Sequence, residues 1–218
     1  MATDIPLKAG IVVCIFALCG LSGPAEGRTH HYRRELYQPT PIPDGYRSWS
    51  LFLVCNPGWI AQNGDKGIDD LYAKFQAFGD SIGDDNIAIW FWKKRSNRLT
   101  VENTDVERSA RYCRKYRLKP SEGPHILVTK QHPDGPVPDN DKVVVKFNGL
   151  NAQKSADALA KLADELLNPN ADQTDNDTWW WQHIPAAAKS VACYFNKVTF
   201  SVNVGVFKGE IAHSGDGC

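Results

Sequence analysis

Trp49-Ser50-Leu51-Phe52-Leu53-Val54-Cys55 is a short apolar run that stops at Asn56-Pro57-Gly58. A run of this length between turn residues predicts a strand buried on both faces, which needs helices covering it from both sides. After a glycine-bearing loop to Gly67, apolar residues recur at Ile68, Leu71, Phe75, Phe78 and Ile82. That three-and-four spacing places them on one helical face, so a first helix runs to about Gly83, with Asp69 and Asp70 suited to its positive N-terminal end.

The alternation of strand and helix continues. Residues 86–93 carry Ile87, Ile89, Trp90, Phe91 and Trp92, a composition that favours a second strand. Asp105 can cap a second helix with Val106, Ala110, Cys113 and Tyr116 on one side and Arg108, Arg111, Arg114 and Lys115 on the other, the basic side being expected to face solvent. Pro120 requires that helix to end by Lys119. Gly123-Pro124-His125 then leads into a third strand at residues 126–128, and residues 142–147 give a fourth. The loop between them contains no helical pattern, so the two should form an antiparallel hairpin. Ala156, Leu159, Ala160, Ala163, Leu166 and Leu167 mark a last amphipathic helix over residues 151–167.

The order strand, helix, strand, helix, strand, strand, helix, with Gly123-Pro124 directly before the third strand, resembles the thioredoxin fold over residues 48–167. The resemblance implies an α/β sandwich with the first two strands parallel and the last two antiparallel, and a proline at position 124 that is typically cis and borders the active site. Members with redox activity carry a tryptophan and Cys-x-x-Cys after the first strand. Here, if Trp59 stands for that tryptophan, Ile60 and Asn63 replace the two cysteines, and thiol-disulfide exchange has no nucleophile at those positions.

Before this domain, Lys8, an apolar stretch over residues 9–21 and the small residues Ser22, Gly23 and Ala25 around Pro24 follow the order of a signal peptide, residues 1–27. The apolar stretch is shorter than the roughly 20 residues a membrane-spanning helix needs, so no permanent membrane span is expected. The protein is read as periplasmic or secreted. Residues 28–47, with Pro39, Pro41, Pro43 and Asp44-Gly45, read as an extended lead-in that contributes nothing to the core.

Four of the six cysteines lie beyond the signal segment: Cys55, Cys113, Cys193 and Cys218. They allow three complete pairings, which an oxidising compartment favours. Cys193 and Cys218 bracket the C-terminal segment and suit a disulfide. Cys55 and Cys113 have apolar neighbours and read first as buried free thiols. An alternative makes Cys55 a nucleophile with His125 as its base.

Residues 168–218 form an extension outside the thioredoxin-like plan. It begins with a polar linker that holds the glycosylation sequon at Asn176, and Trp179, Trp180 and Trp181 follow. Three successive indoles can stack on sugars, though packing against the main domain is their commoner use. Val198, Phe200, Val202, Val204 and Val206 alternate with Thr199, Ser201, Asn203 and Gly205, the pattern of a half-buried strand that can join a sheet edge or another chain.

The 25 basic residues balance 25 acidic ones, which removes any overall field that would draw nucleic acid to the surface. The local run from Lys93 to Arg98 reads as a solvated strand end. No phosphate loop, serine nucleophile elbow or His-Glu zinc helix occurs, so neither metal nor cofactor is expected. These features together lead to an exported binding or assembly module without dithiol activity, whose partner is another protein or a peptide. The contact would be made through Trp59, Ile60, Asn63 and Pro124 or through the C-terminal strand. The alternatives are a single-cysteine thiol oxidoreductase or peroxidase-like enzyme at Cys55, and a carbohydrate or cell-envelope binder at Trp179–Trp181.

Overall fold

The computed structural model describes residues 33–83, 85–138, 140–166, 179–204 and 207–212. The signal segment, the sequon at Asn176 and Cys218 lie outside them. Arg33–Tyr37 forms strand β1, Ser48–Val54 strand β2 and Pro57–Ser81 helix α1. Strand β3 (Asn86–Trp92), helix α2 (Val106–Lys115) and strands β4 (Pro124–Thr129) and β5 (Lys142–Phe147) follow. Helices α3 (Ala152–Leu166) and α4 (Trp179–Tyr194) and strands β6 (Val198–Val204) and β7 (Phe207–Ile211) are the remaining elements among the described residues.

One mixed sheet of seven strands runs β1-β3-β2-β4-β5-β6-β7. Strand β3 pairs in parallel with both β1 and β2, and every pairing from β2–β4 onward is antiparallel. The senses expected for the four central strands are therefore present. All seven residues of β2 are buried, because the sheet is covered on both sides. Phe52, Val54, Trp90, Ile126, Val145 and Phe200 face a large core shared with α1, α3 and α4. Trp49, Leu51, Leu53, Ile89, Phe91 and Leu127 face the smaller core under α2, which supplies Tyr112 and Cys113. The even and odd positions of the strands divide between these cores, as the two-residue period of a strand demands.

Three sequence expectations need correction. Residues 28–47 are more than a lead-in: β1 adds a parallel strand at the sheet edge, and Leu36 and Ile42 are buried. Residues 57–63 are helical. Asn56 caps them by accepting a 2.9 Å hydrogen bond from the Gly58 amide, Pro57 sits in the first turn, and Gly64 (φ 65°) joins this segment to the long helix. The Asn-Pro pair that reads as a strand stop is equally a helix start. The segment after residue 168 is also integral to the fold. Helix α4 buries Ile184, Ala187, Ala188 and Val191 in the larger core, and β6 pairs with β5 while burying Val198, Phe200 and Val202. The alternation over these residues is thus a sheet-extending strand, with β7 forming the edge beyond it.

Gly123 closes the 3-10 turn Pro120–Glu122 ahead of β4. Its φ is +84°, and a Cβ there would lie 2.8 Å from the carbonyl oxygen of Phe147. Gly149 has φ +68° with nothing within 4 Å of such a Cβ. Gly149→Ala should therefore cost only the roughly 1 kcal/mol of a left-handed non-glycine residue, and Gly123→Ala about 2–3 kcal/mol, as clash adds to strain. Urea unfolding of the two variants checks the order, and equal losses would remove the steric argument.

Candidate functional site

Cys55 directly follows β2 and precedes the Asn56 cap of α1, at the end of the central strand where strand and helix meet. Its sulfur is bonded to that of Cys113 on α2, with the two Cα atoms 5.7 Å apart and a sequence separation of 58. The expectation of two free thiols is thereby corrected. Both residues are buried among apolar neighbours, but α2 packs across the end of β2 and brings the sulfurs together.

His125 lies on β4 opposite Leu53 of β2 and is fully buried. Its Nδ1 is 3.4 Å from Cys55 Sγ, and its Nε2 is 3.4 Å from Glu122 Oε2. Lys146 Nζ is 4.0 Å from the same carboxylate oxygen and 3.8 Å from Glu210 Oε2. Burial lowers the His125 pKa below its ordinary value, while the hydrogen bond and charge of Glu122 oppose that shift. In the neutral ring, an Nε2–H donated to Glu122 leaves an unprotonated Nδ1 facing the sulfur. Sequence reasoning paired Cys55 with His125 and missed Glu122, whose position three residues before the histidine was the available signal.

The residues expected to form a binding edge are close together but already have partners. Trp59 is buried, and its Nε1 donates to the Leu150 carbonyl at 2.7 Å. Asn63 donates from Nδ2 to the Trp59 carbonyl and accepts from the Ala152 amide, both at 2.6 Å. Ile60 is buried in the large core. These contacts fasten the first segment of α1 to the start of α3. Pro124 is buried and lies opposite Val54 in the β2–β4 ladder. The cis peptide bond among the described residues is Gln38–Pro39, so the Gly123–Pro124 bond is trans and departs from the resemblance. The positive φ of Gly123 brings the chain into β4 here.

Beside these residues lies a groove of about 290 Å³ between the first turns of α1, the 120–123 turn and the start of α3. Asn56, Gln62, Asn63, Asn151 and Ser121 line it with Trp59, and no charged side chain does.

Trp179, Trp180 and Trp181 begin α4, and their side chains lie outside the described residues. Cys193, also on α4, is disulfide-bonded. Its expected partner Cys218 lies outside the described residues. Among the described residues no group of three or more His, Cys, Asp or Glu could hold a metal ion, and no helix is long and apolar enough to cross a membrane.

Helix α2 is turned differently from the sequence expectation. Arg108 and Tyr112 are buried against Phe91, the guanidinium 4.5 Å from the ring centroid and the phenol ring stacked on it at 5.2 Å. The Tyr112 hydroxyl donates to Asp134 Oδ1 at 2.5 Å. Burial and that carboxylate raise the tyrosine pKa, and Arg108 opposes them. Asp105, the helix cap, is buried and accepts from the Arg108 amide at 2.9 Å and from Gln38 Nε2 at 2.6 Å. Arg108 thus leaves the solvated basic face to which its spacing from Arg111 assigns it, because an aromatic ring on β3 accepts its cation.

Compared with known proteins, the chain matches no family model, no curated protein and no solved structure.

Proposed function

We propose that this chain is an exported, thioredoxin-like peptide-binding module without dithiol turnover. The order β3-β2-β4-β5, with the first pair parallel and the rest antiparallel, supports the thioredoxin-like reading. The Cys55–Cys113 disulfide is compatible with an oxidising compartment. The observation that carries the function is the uncharged groove where a redox motif would open α1. Gln62 offers it a whole carboxamide, Asn56 and Asn151 the amide NH2 groups that their capping bonds leave over, and Trp59 an aromatic face. That lining suits the main chain of an extended polypeptide, which presents alternating donors and acceptors without net charge. Ile60 and Asn63, at the positions of the two motif cysteines, are spent on packing and on joining α1 to α3.

An uncharged Ser/Thr/Val decapeptide, titrated while tryptophan fluorescence is followed, tests the site. Gln62 is an exposed residue of the groove. Gln62→Glu should weaken binding about tenfold, because the new charge must be desolvated beneath a neutral ligand. An affinity that ignores this change places the peptide elsewhere.

A second reading, thiol-disulfide exchange at Cys55–Cys113, is favoured by the approach of His125 to the Cys55 sulfur. A dithiol's thiolate attacking Cys113 would form a mixed disulfide there and release Cys55 as a thiolate, paired with protonated His125. The dithiol's second thiol would then displace Cys113, leaving two protein thiols and an oxidised dithiol. Insulin-disulfide reduction separates the readings. The binding module gives no turnover above the free-dithiol background, whereas strong turnover abolished by Cys55→Ser would establish the enzyme.

A further inference from the structure

Helix α2 separates two clefts. The first, about 610 Å³, lies between α2, the Gln38-Pro39 turn and Asp134, and is lined by Arg108, Arg111 and Lys115. The second, about 620 Å³, lies between α2, Pro57 and the end of β3, and is lined by Arg111, Arg114 and Lys93. Arg111 stands on the ridge and belongs to both. Five basic side chains therefore border one continuous surface against two acidic ones, Glu107 and Asp134, in a chain whose overall charge is zero.

Arg108 gives this surface its anchor. It is 7% exposed and forms no ion pair among the described residues, its cation resting on the Phe91 ring. Asp105 is the nearest buried acid in sequence, and its two oxygens already accept from the Arg108 amide and from Gln38. Lys115 is partly committed too, since its Nζ donates to the carbonyls of Pro133 and Gly135 at 2.5 Å. A buried guanidinium with an aromatic contact and no carboxylate of its own is a fixed, dehydrated donor set for an incoming oxyanion. Arg111, Arg114 and Lys93 are exposed on the approach to it.

We propose that this surface docks an acidic polypeptide segment of a partner protein, one carboxylate reaching Arg108 and others straddling Arg111 into the second cleft. Three features choose a peptide over a nucleic acid or a lipid surface. The two clefts are discrete and set on either side of a ridge, and a flexible chain of carboxylates can enter both. Glu107 and Asp134 would repel closely spaced phosphates, yet they can accept hydrogen bonds from peptide amides. Pro57, Val106 and Ala110 supply an apolar wall to the second cleft that suits side chains between the carboxylates.

The site is distinct from the uncharged groove, so its failure leaves the peptide-binding reading of that groove untouched. Fluorescence anisotropy with a labelled Glu-rich decapeptide, using the full chain, tests it. Saturable binding is expected that weakens as salt rises from 20 to about 200 mM, as exposed charges become screened. Arg111→Glu with Arg114→Glu, both at exposed positions, should weaken it at least about tenfold. Arg108→Gln should do so with little change in salt dependence, whereas Lys197→Glu, at the exposed turn before β6, should leave affinity unchanged. Circular dichroism establishes that each variant is folded, and the exposed pair keeps the test decisive if Arg108→Gln is not. No saturation below roughly 1 mM peptide overturns the proposal. So does equal affinity for the charge-reversed pair. Tighter binding of a single-stranded oligonucleotide or of anionic phosphatidylserine vesicles than of the peptide overturns the choice of partner.

Discussion

Replacing Cys55 and Cys113 together by alanine is expected to lower the unfolding free energy by about 4 kcal/mol. The bridge closes a loop with a sequence separation of 58 residues. The chain-entropy relation gives about 4 kcal/mol at 25 °C for a loop of that length, and losses of about 2–5 kcal/mol are usual when a native bridge is removed from a small secreted domain. In a protein of this size the loss corresponds to a fall in melting temperature of about 10 °C. The structure gives the bridge a local purpose as well. Helix α2 has only ten residues, and among the described residues it is the helix that covers its side of the sheet over Phe91 and Leu53. The bridge holds it at the end of β2. Urea unfolding of the oxidised protein, the double variant and the protein in excess dithiothreitol provides the check. The reduced protein, which also loses the Cys193 bond, should unfold at or below the midpoint of the double variant, and an unchanged midpoint in the double variant would mean the Cys55–Cys113 bridge contributes nothing to the native state.

That pairing also marks the boundary of what the sequence could reveal. The apolar runs at β2 and β3, the helical spacing from Ile68 to Ile82 and the alternation from Val198 to Val204 are local patterns, legible because β2 and β3 meet a core on both faces and the other elements on one. Strand β1 is not legible this way. Its sequence Arg33-Arg34-Glu35-Leu36-Tyr37 has four polar or amphipathic residues around one buried leucine, which an edge strand tolerates and a pattern search passes over. Helix α4 begins after residues whose composition suggests only a linker, and its burial depends on α3 and β6 being in place. Cys55 and Cys113 each announced burial correctly. Their bond depends on where α2 crosses the sheet, a tertiary fact that neither neighbourhood contains.

The candidate sites divide in the same manner. Cys55 and His125 could be named from the strand end and the Gly123-Pro124 signal, but the tie from His125 to Glu122 needed the 3-10 turn that brings the Glu122 carboxylate to the Nε2 of the ring. Trp59 and Asn63 stand together at one corner, but the bonds from the Trp59 indole to Leu150 and from the Ala152 amide to Asn63 depend on where α3 begins, which residues 56–63 do not reveal. Arg108 shows the strongest departure. Its charge predicts exposure, and the Phe91 ring on another element reverses that.

Phe52→Ala should cost about 3–5 kcal/mol, the range for removing a fully buried phenyl group, because transfer energy and an unfilled cavity add. Phe52 is fully buried in the centre of β2, and its ring stacks on Trp90 with centroids 3.8 Å apart at 15°. It meets Phe75 of α1 edge-on at 5.5 Å and lies 6.5 Å from Phe147 of β5. Removing it therefore loosens the contact of β2 with a helix and with two other strands at once. Phe52→Leu, which keeps most of the volume, should lose much less. Because Phe52 belongs to the core under α1 and the disulfide to the core under α2, the losses should add within about 0.5 kcal/mol when the Phe52 and cysteine changes are combined. A deficit well beyond that would show that the sheet transmits strain between its faces, and that the α1 groove and the α2 surface are energetically coupled through β2.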